Sequence, residues 1–355
     1  MGPMSHSVQL AESNDGLTWN FIPGFTSYGG SVPDVIIRSN KLYIYTPGKV
    51  KRYNNTTSTW DATPVNVSIV DASSVTVNYV DPSAYIDANG MINLFFLNST
   101  GITGDPAQCT SPPCIRYFDS AIEVAGSDGT QFVKQPGSRI TVTVTGSFGP
   151  TDPDVFFDGT YYFIYTSQGS STNVYKSSLL HGTYAALTTL PSGNLLTNNA
   201  GIPCGMYNTI TSGYMSYGHG NVSGGTEIRG AVHNNFNSQP TYSTLITGTS
   251  AGLGSQYSVA SPGICDNTFL TTGIKEDSEE KIQVTVFPNP SKGSFEIYCD
   301  KNMNEISVIN VLGKEIYSEK LNGKQKYFDH KLNSGIYFLK IRSGNASETR
   351  RIIIE

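Results

Sequence analysis

Short runs of β-branched and aromatic residues, each cut off within a few positions by Gly, Asn, Asp or Pro, recur along most of the chain. Runs of that length between turn formers predict strands rather than helices. The clearest stretch is 151–169, TDPDVFFDGTYYFIYTSQG. Asp152-Pro153 opens one apolar run, Asp158-Gly159 turns the chain, and Tyr161-Tyr162-Phe163-Ile164-Tyr165 forms the next. Asp-Gly between two such runs is a hairpin signal. Proline fits at the start of a strand because it has no N–H to donate to the ladder. Weaker versions of the phrase are anchored at Pro33, Pro82, Pro203 and Pro262, so successive anchors stand 49, 71, 50 and 59 residues apart. A period of roughly 40–50 residues with several strands per unit marks propeller blades. Five anchors predict an all-β, five-bladed β-propeller.

The two ends complement each other. The N-terminal segment begins mid-pattern, with a strand-like run at 8–13 that turns at Asn14-Asp15-Gly16 into 17–21. The fifth unit stops near 272 without a hairpin of its own. Strands from both ends therefore complete one blade and protect the edges of the ring. The expected blades span 31–75, 80–146, 151–196, 201–249, and 255–273 joined with 5–24. The second is long because of a polar loop at 101–113, and an ordered loop on a rigid scaffold is often functional. A charged stretch without apolar residues, 275–281, reads as a linker. Compact alternation resumes beyond it, with strands expected at 282–287, 294–298, 305–311, 314–319, 335–341 and 350–354, as in a small β-sandwich. The expected domains are a propeller at 1–274, a linker at 275–282 and a sandwich at 283–355.

Composition narrows the function. With 21 Tyr, 16 Phe and only 14% charged residues, the chain suits short strands and many turns. A net charge of −5 argues against a nucleic-acid partner, which demands clustered Lys and Arg. No apolar run approaches the roughly 18–20 residues of a membrane-spanning helix. Residues 1–10, MGPMSHSVQL, lack the basic and apolar parts of a signal peptide, and a truncated leader is expected. Cys109 and Cys114 bracket the loop Thr-Ser-Pro-Pro, while Cys204 and Cys265 follow the anchoring prolines of adjacent units. Each pair reads either as a disulfide or as two separate buried thiols, and Cys299 is left over.

The tail carries three phrases in order, Phe287-Pro288-Asn289-Pro290-Ser291-Lys292-Gly293, Ile309-Asn310-Val311-Leu312-Gly313-Lys314 and Ser334-Gly335-Ile336-Tyr337-Phe338-Leu339-Lys340. From about Gln283 onward it resembles the type A sorting domain of the Bacteroidetes type IX secretion system. That resemblance implies the secretion machinery as a partner, transit across the outer membrane, and release or attachment at the cell surface.

Ser13-Asn14-Asp15-Gly16-Leu17-Thr18-Trp19 and Gly126-Ser127-Asp128-Gly129-Thr130-Gln131-Phe132 resemble the Asp-box turns of sialidase-like propellers, with eroded copies at 58–60 and 180–184. They fall on outer strands and read as structural. Ligands of a propeller sit where the inner strands converge, so the residues beside the anchoring prolines are the candidates. Four of these are acidic: Asp34, Asp81, Asp152 and Asp154. The arrangement resembles the five-bladed glycosidase superfamily of the family 43 and family 32 types. Such chemistry needs two carboxylates of unequal pKa, one kept protonated for the leaving oxygen and one ionised. The resemblance makes Asp34 or Asp81 the base or nucleophile and Asp152 or Asp154 its partner, acting on an extracellular polysaccharide or oligosaccharide. The fourth anchor reads Gly201-Ile202-Pro203-Cys204 where a family 43 enzyme has an acidic Glu, and Glu227 is the nearest substitute. Asp-Pro pairs also serve as plain strand-start turns.

A sialidase-like site needs an arginine cluster, which Arg116 and Arg229, with Arg38, permit from three blades. His219, between glycines at a strand end, is a candidate for substrate, or for a central cation such as calcium as in some family 43 relatives. No other cofactor is expected. The rival reading is a noncatalytic propeller that binds glycan or protein at the cell surface, and a weaker one is an adhesin-like spacer.

Overall fold

Each of the first four anchoring prolines stands at or within the first strand of a separate sheet in the computed structural model, which describes residues 6–22, 24–209, 211–254, 258–266, 282–310, 314–344 and 346–355. The first blade runs Asp34–Arg38, Lys41–Thr46, Lys49–Asn54 and Thr59–Trp60, antiparallel in chain order. The second runs Tyr79–Ile86, Ile92–Asn98 and Cys114–Glu123, the last pairing with both Gln131–Lys134 and Ile140–Val144. The third begins Thr151–Phe157, Tyr162–Gln168, Ser171–Ser177, and the fourth is Gly201–Asn208, Gly213–Val222, Gly225–His233, Ser243–Ile246. The Asp158-Gly159 turn behaves as its sequence demands. Asp158 Oδ1 accepts the amides of Thr160 and Tyr161, both at 2.8 Å, while Gly159 takes a φ of 95°.

The repeat is exact in register. The residue after each of the first four anchoring prolines faces a buried aromatic on the second strand, as Asp34 with Tyr45, Ser83 with Phe95, Asp154 with Tyr165 and Cys204 with Tyr217. The residue before each proline is strained. Val32, Asp81, Asp152, Ile202 and Ser261 all have a φ between 43° and 54°. A β-branched residue there is an outlier, and each such position costs about 1–3 kcal/mol. In the second, third and fourth blades the pairing register shifts at this point. Proline occupies the irregular step, where its missing N–H breaks no ladder bond.

Both ends of the propeller unit fill the fifth position. Ser7–Val8 pairs with Tyr28–Gly29, and Ala11–Glu12 with Asn20–Phe21. Val8 is buried with Leu42 and Ile44 of the first blade, while the Tyr217 hydroxyl of the fourth donates to Gly16 O at 2.8 Å. From the other end, Val259 N–H donates to Thr226 O of the fourth blade at 3.2 Å, and Gly263 lies on Pro33 of the first. A Cβ at Gly263 would stand 2.4 Å from Pro33 O. The outer part of the expected fifth unit, 267–273, lies outside the described residues.

One difference from expectation has a physical cause. Ser68–Val70, expected in the first blade, lies parallel to Gln131–Lys134 of the second. Ile69 and Phe132 are buried together in one cluster, and that burial decides the pairing. The Asp-box turns have structural partners. Tyr45 OH donates to Gly129 O at 3.0 Å, as Tyr217 does to Gly16, so each turn docks on the preceding blade. Asp128 bonds Tyr43 OH at 2.7 Å and pairs with Lys41 and Arg52.

The tail forms its own unit, since contacts divide the chain into Met1–Thr271 and Thr272–Glu355. Its strands are Val284–Phe287, Ser294–Asn310, Glu315–Asp329, Gly335–Ser343 and Ala346–Ile354. The separate strands expected at 294–298 and 305–311 are one long strand up to Asn310, bent where its pairing with Glu315–Asp329 shifts around Met303. Buried Cys299 and Met303 carry the apolar face through the bend. The strand expected at 314–319 extends to Asp329, where Phe328 stacks on Phe295 at 4.6 Å. The expected linker, 275–281, and residues 311–313 lie outside the described residues.

Candidate active site

The four aspartates fall into two layers. The residues that follow the prolines stitch neighbouring inner strands together. Ala84 N–H donates to Asp34 Oδ2 at 2.6 Å, Val155 N–H to Ser83 Oγ at 3.0 Å, and Gly205 N–H to Asp154 Oδ2 at 2.7 Å. Around the rest of the ring the link is packing, with Cys204 in one cluster with Ile264. Burial pushes Asp34 up to about 7 against the pull of the Ala84 and Val35 amides. Burial and the Asp34 charge together hold Asp154 well above the usual carboxylate range. Asp34 and Asp154 are thus ring-closing acceptors first.

The residues that precede the prolines form the second layer. Asp152 N–H donates to Asp81 Oδ2 at 3.3 Å, bringing the second and third blades' acids together. Burial, then the Asp152 charge, push Asp81 well above its ordinary value. Burial raises Asp152 to about 6 although the Thr151 hydroxyl bonds its carboxylate. The Asp105 charge adds to the upward push on both. A charge on Asp152 thus disfavours ionisation of Asp81. The other members of this layer, Val32, Ile202 and Ser261, bring no carboxylate.

Asp105 was not among the sequence candidates. Its signal was an Asp-Pro pair, Asp105-Pro106, lying off the period inside the cysteine-bracketed loop. Cys109 and Cys114 are disulfide-bonded, and the loop pairs with the segment that leads into Asp152. Cys109 N–H donates to Ser147 O and Gly149 N–H to Ala107 O, both at 2.8 Å. Arg116 is the anchor of this ribbon. Its Nε donates to Pro106 O at 2.8 Å and its Nη2 to Gln108 O, with the side chain buried.

The structure therefore does not bring the other candidates to the acid pair as free groups. Arg116 is committed to loop carbonyls. Arg229 pairs with Glu227 at 2.8 Å and donates to Asn199 O at 3.0 Å, tying down the bend before the fourth anchor. Arg38 pairs with Glu123, so the three arginines serve three separate networks. Glu227 is no spare acid. Burial pushes its pKa up, but bonds from Thr244 and Arg229 outweigh this and hold it below the ordinary value. His219 faces Gly201 across the fourth blade, and its buried Nδ1 has no hydrogen-bond partner among the described residues. Burial, then the nearby His6, lower its pKa, favouring the neutral ring. Among the described residues no group of three or more His, Cys, Asp or Glu stands where it would hold a metal ion. Cys204 and Cys265 are free thiols. Cavities of about 190 and 290 Å³ lie elsewhere, both lined by Trp60 and Asp61.

The two units define an all-β protein, a propeller followed by a separate C-terminal β unit. Residues 285–355 match the family described as "Secretion system C-terminal sorting domain", so the tail is a sorting domain of the type IX kind and the protein is secreted or held at the cell surface. No curated protein matches the chain. Among solved structures it is similar to an endo-1,4-β-xylanase from Bacteroides thetaiotaomicron, with 12% identity and a TM-score of 0.43, over 66% of this chain and 86% of that one. It is similar to an endo-1,5-α-L-arabinanase from Thermotoga petrophila, with 15% identity and a TM-score of 0.41, over 90% of each chain. A third is an exo-β-1,3-galactanase from Clostridium thermocellum, with 10% identity and a TM-score of 0.43, over 90% of this chain and 79% of that one. Among the described residues no helix is long and apolar enough to cross a membrane.

Proposed function

We propose that the propeller hydrolyses glycosidic bonds of an extracellular polysaccharide or oligosaccharide, with Asp81 and Asp152 as its carboxyl pair, after export through the type IX machinery that reads the tail. The observation that carries this reading is the hydrogen bond from the Asp152 amide to the Asp81 carboxylate, which brings together two buried aspartates of raised pKa where the inner strands begin. Asp81, held well above the usual carboxylate range, keeps its proton and gives it to the leaving glycosidic oxygen as the C1–O bond breaks. Asp152, ionised above about pH 6, takes the proton of the attacking water or attacks C1 itself. This reverses the order that position along the chain suggested, and it leaves Asp34 and Asp154 in a supporting role.

A second reading, glycan binding without turnover, is favoured by one observation. Ile202 stands at the fourth blade's place in this layer and contributes no acid. The test is release of reducing ends from a polysaccharide panel by the full chain and by Asp81→Asn and Asp152→Asn. Hydrolysis predicts a loss of at least about 100-fold in kcat for each variant. Retention of glycan by all three proteins with no product from any of them establishes the second reading instead.

A further inference from the structure

Phe148 is the feature of the site region that neither the core nor the acid chemistry accounts for. It is 59% exposed, yet its backbone is fixed. It bridges to Gln108 across the ribbon, and the hydrogen bonds from Cys109 to Ser147 and from Gly149 to Ala107 flank it. Gly149 is so closely packed that a Cβ there would stand 2.6 Å from Val144 and 3.3 Å from the stem of Arg116. The disulfide and the buried Arg116 hold the opposite side of the ribbon. Pro150 and Thr151 then lead directly into Asp152, and Asp105, on the same ribbon, bears electrostatically on both acids. A large exposed aromatic on a braced ribbon, four residues before Asp152, has little conformational entropy to lose when a flat apolar face stacks on it.

The geometry points to Phe148 as the stacking platform for a sugar ring next to the bond that reacts. The Cys109–Cys114 ribbon is the wall that positions it. The inference rests on the glycan reading given above, but its test is separable from that of hydrolysis. The full chain, Phe148→Ala, Phe148→Trp and Asp152→Asn are run by affinity electrophoresis in gels cast with xylan, arabinan, galactan or β-glucan. Melting temperature and free-thiol count confirm that each variant is folded with its disulfide intact. Phe148→Ala is expected to weaken retention about tenfold, and Phe148→Trp to preserve it. On any substrate that is cleaved, Phe148→Ala raises KM by the same factor and leaves kcat nearly unchanged. Retention by Phe148→Ala equal to that of the unaltered chain overturns the inference even if hydrolysis is found. Absence of retention by the unaltered chain on every gel overturns it as well. Retention that depends on Phe148 without product release supports the platform while removing the enzyme reading.

Discussion

Asp34 and Asp152 flank anchoring prolines on opposite sides, and that one-step difference sets their work. Asp34 accepts a neighbouring blade's amide inside the ring, so its carboxylate is a poor place for a charge. Its folded pKa of about 7 lies above the ordinary 3.8. A raised acid contributes stability that is fully present below its unfolded pKa and lost as pH rises through the folded one. Stability from this group therefore falls between about pH 4 and 7, since each tenfold rise in proton affinity on folding is worth about 1.4 kcal/mol. Asn keeps an acceptor for Ala84 and cannot ionise. Asp34→Asn is expected to flatten the drop in melting temperature between pH 5 and 8 and to keep at least a tenth of any activity. His181 slopes the other way, since burial lowers it to about 4 and its contribution is lost as pH falls below 6.5, but it is common to both proteins. Parallel melting-temperature curves would show that Asp34 is not the titrating group. The aspartates beside the anchoring prolines were visible from the proline spacing alone. Which of them were stitched into the ring was not, because that depends on which neighbouring amide each carboxylate meets.

At the scale of elements, turns do the docking. Gly129, with a φ of 78°, sits where a Cβ would come 2.4 Å from Tyr45 OH. Gly129→Ala combines left-handed strain with that clash and is expected to cost about 2–4 kcal/mol. Tyr45→Phe loses only the bond to Gly129 O, about 1 kcal/mol. Urea melts of the two variants decide this, and equal losses would mean that the hydroxyl bond, not close packing, holds the turn. The acid-side ribbon gives a second comparison. Arg116→Met leaves two loop carbonyls without their donor, and hydrogen exchange is expected to rise at 105–109 and 147–149 while the fourth blade's strands stay protected. Uniform exchange across the chain would rule out a local anchor. Asp-Gly turns and Pro-started strands were readable because local chemistry decides them. The placement of Ser68–Val70 was not readable, because Ile69 finds Phe132 only after two blades come together. Arg116 resembled a ligand residue because a sequence shows its charge and not the carbonyls waiting for it.

The molecule as a whole is a ring whose last gap is filled by its own beginning, and a separate unit with its own core. Trp19 meets Tyr217 edge-on at 5.8 Å, and Val8 and Leu10 pack on the first blade's Leu42 and Ile44. Removing residues 1–30 uncovers those surfaces on both flanking blades and leaves two open sheet edges. The tail's core, built on Phe295, Ile306, Phe328 and Leu339, is a separate hydrophobic cluster from those of the blades. Calorimetry of three chains tests this division. The full chain is expected to unfold in two transitions, and a chain ending at 271 to keep the propeller transition at the same temperature. A chain starting at 31 is expected to lose the propeller transition or to shift it down by more than about 10 °C, several kcal/mol for a unit this size. It should keep the tail's transition unchanged. If removing the tail lowers the propeller transition as much as removing the N-terminal strands does, the two units share their stability and the ring does not close on itself.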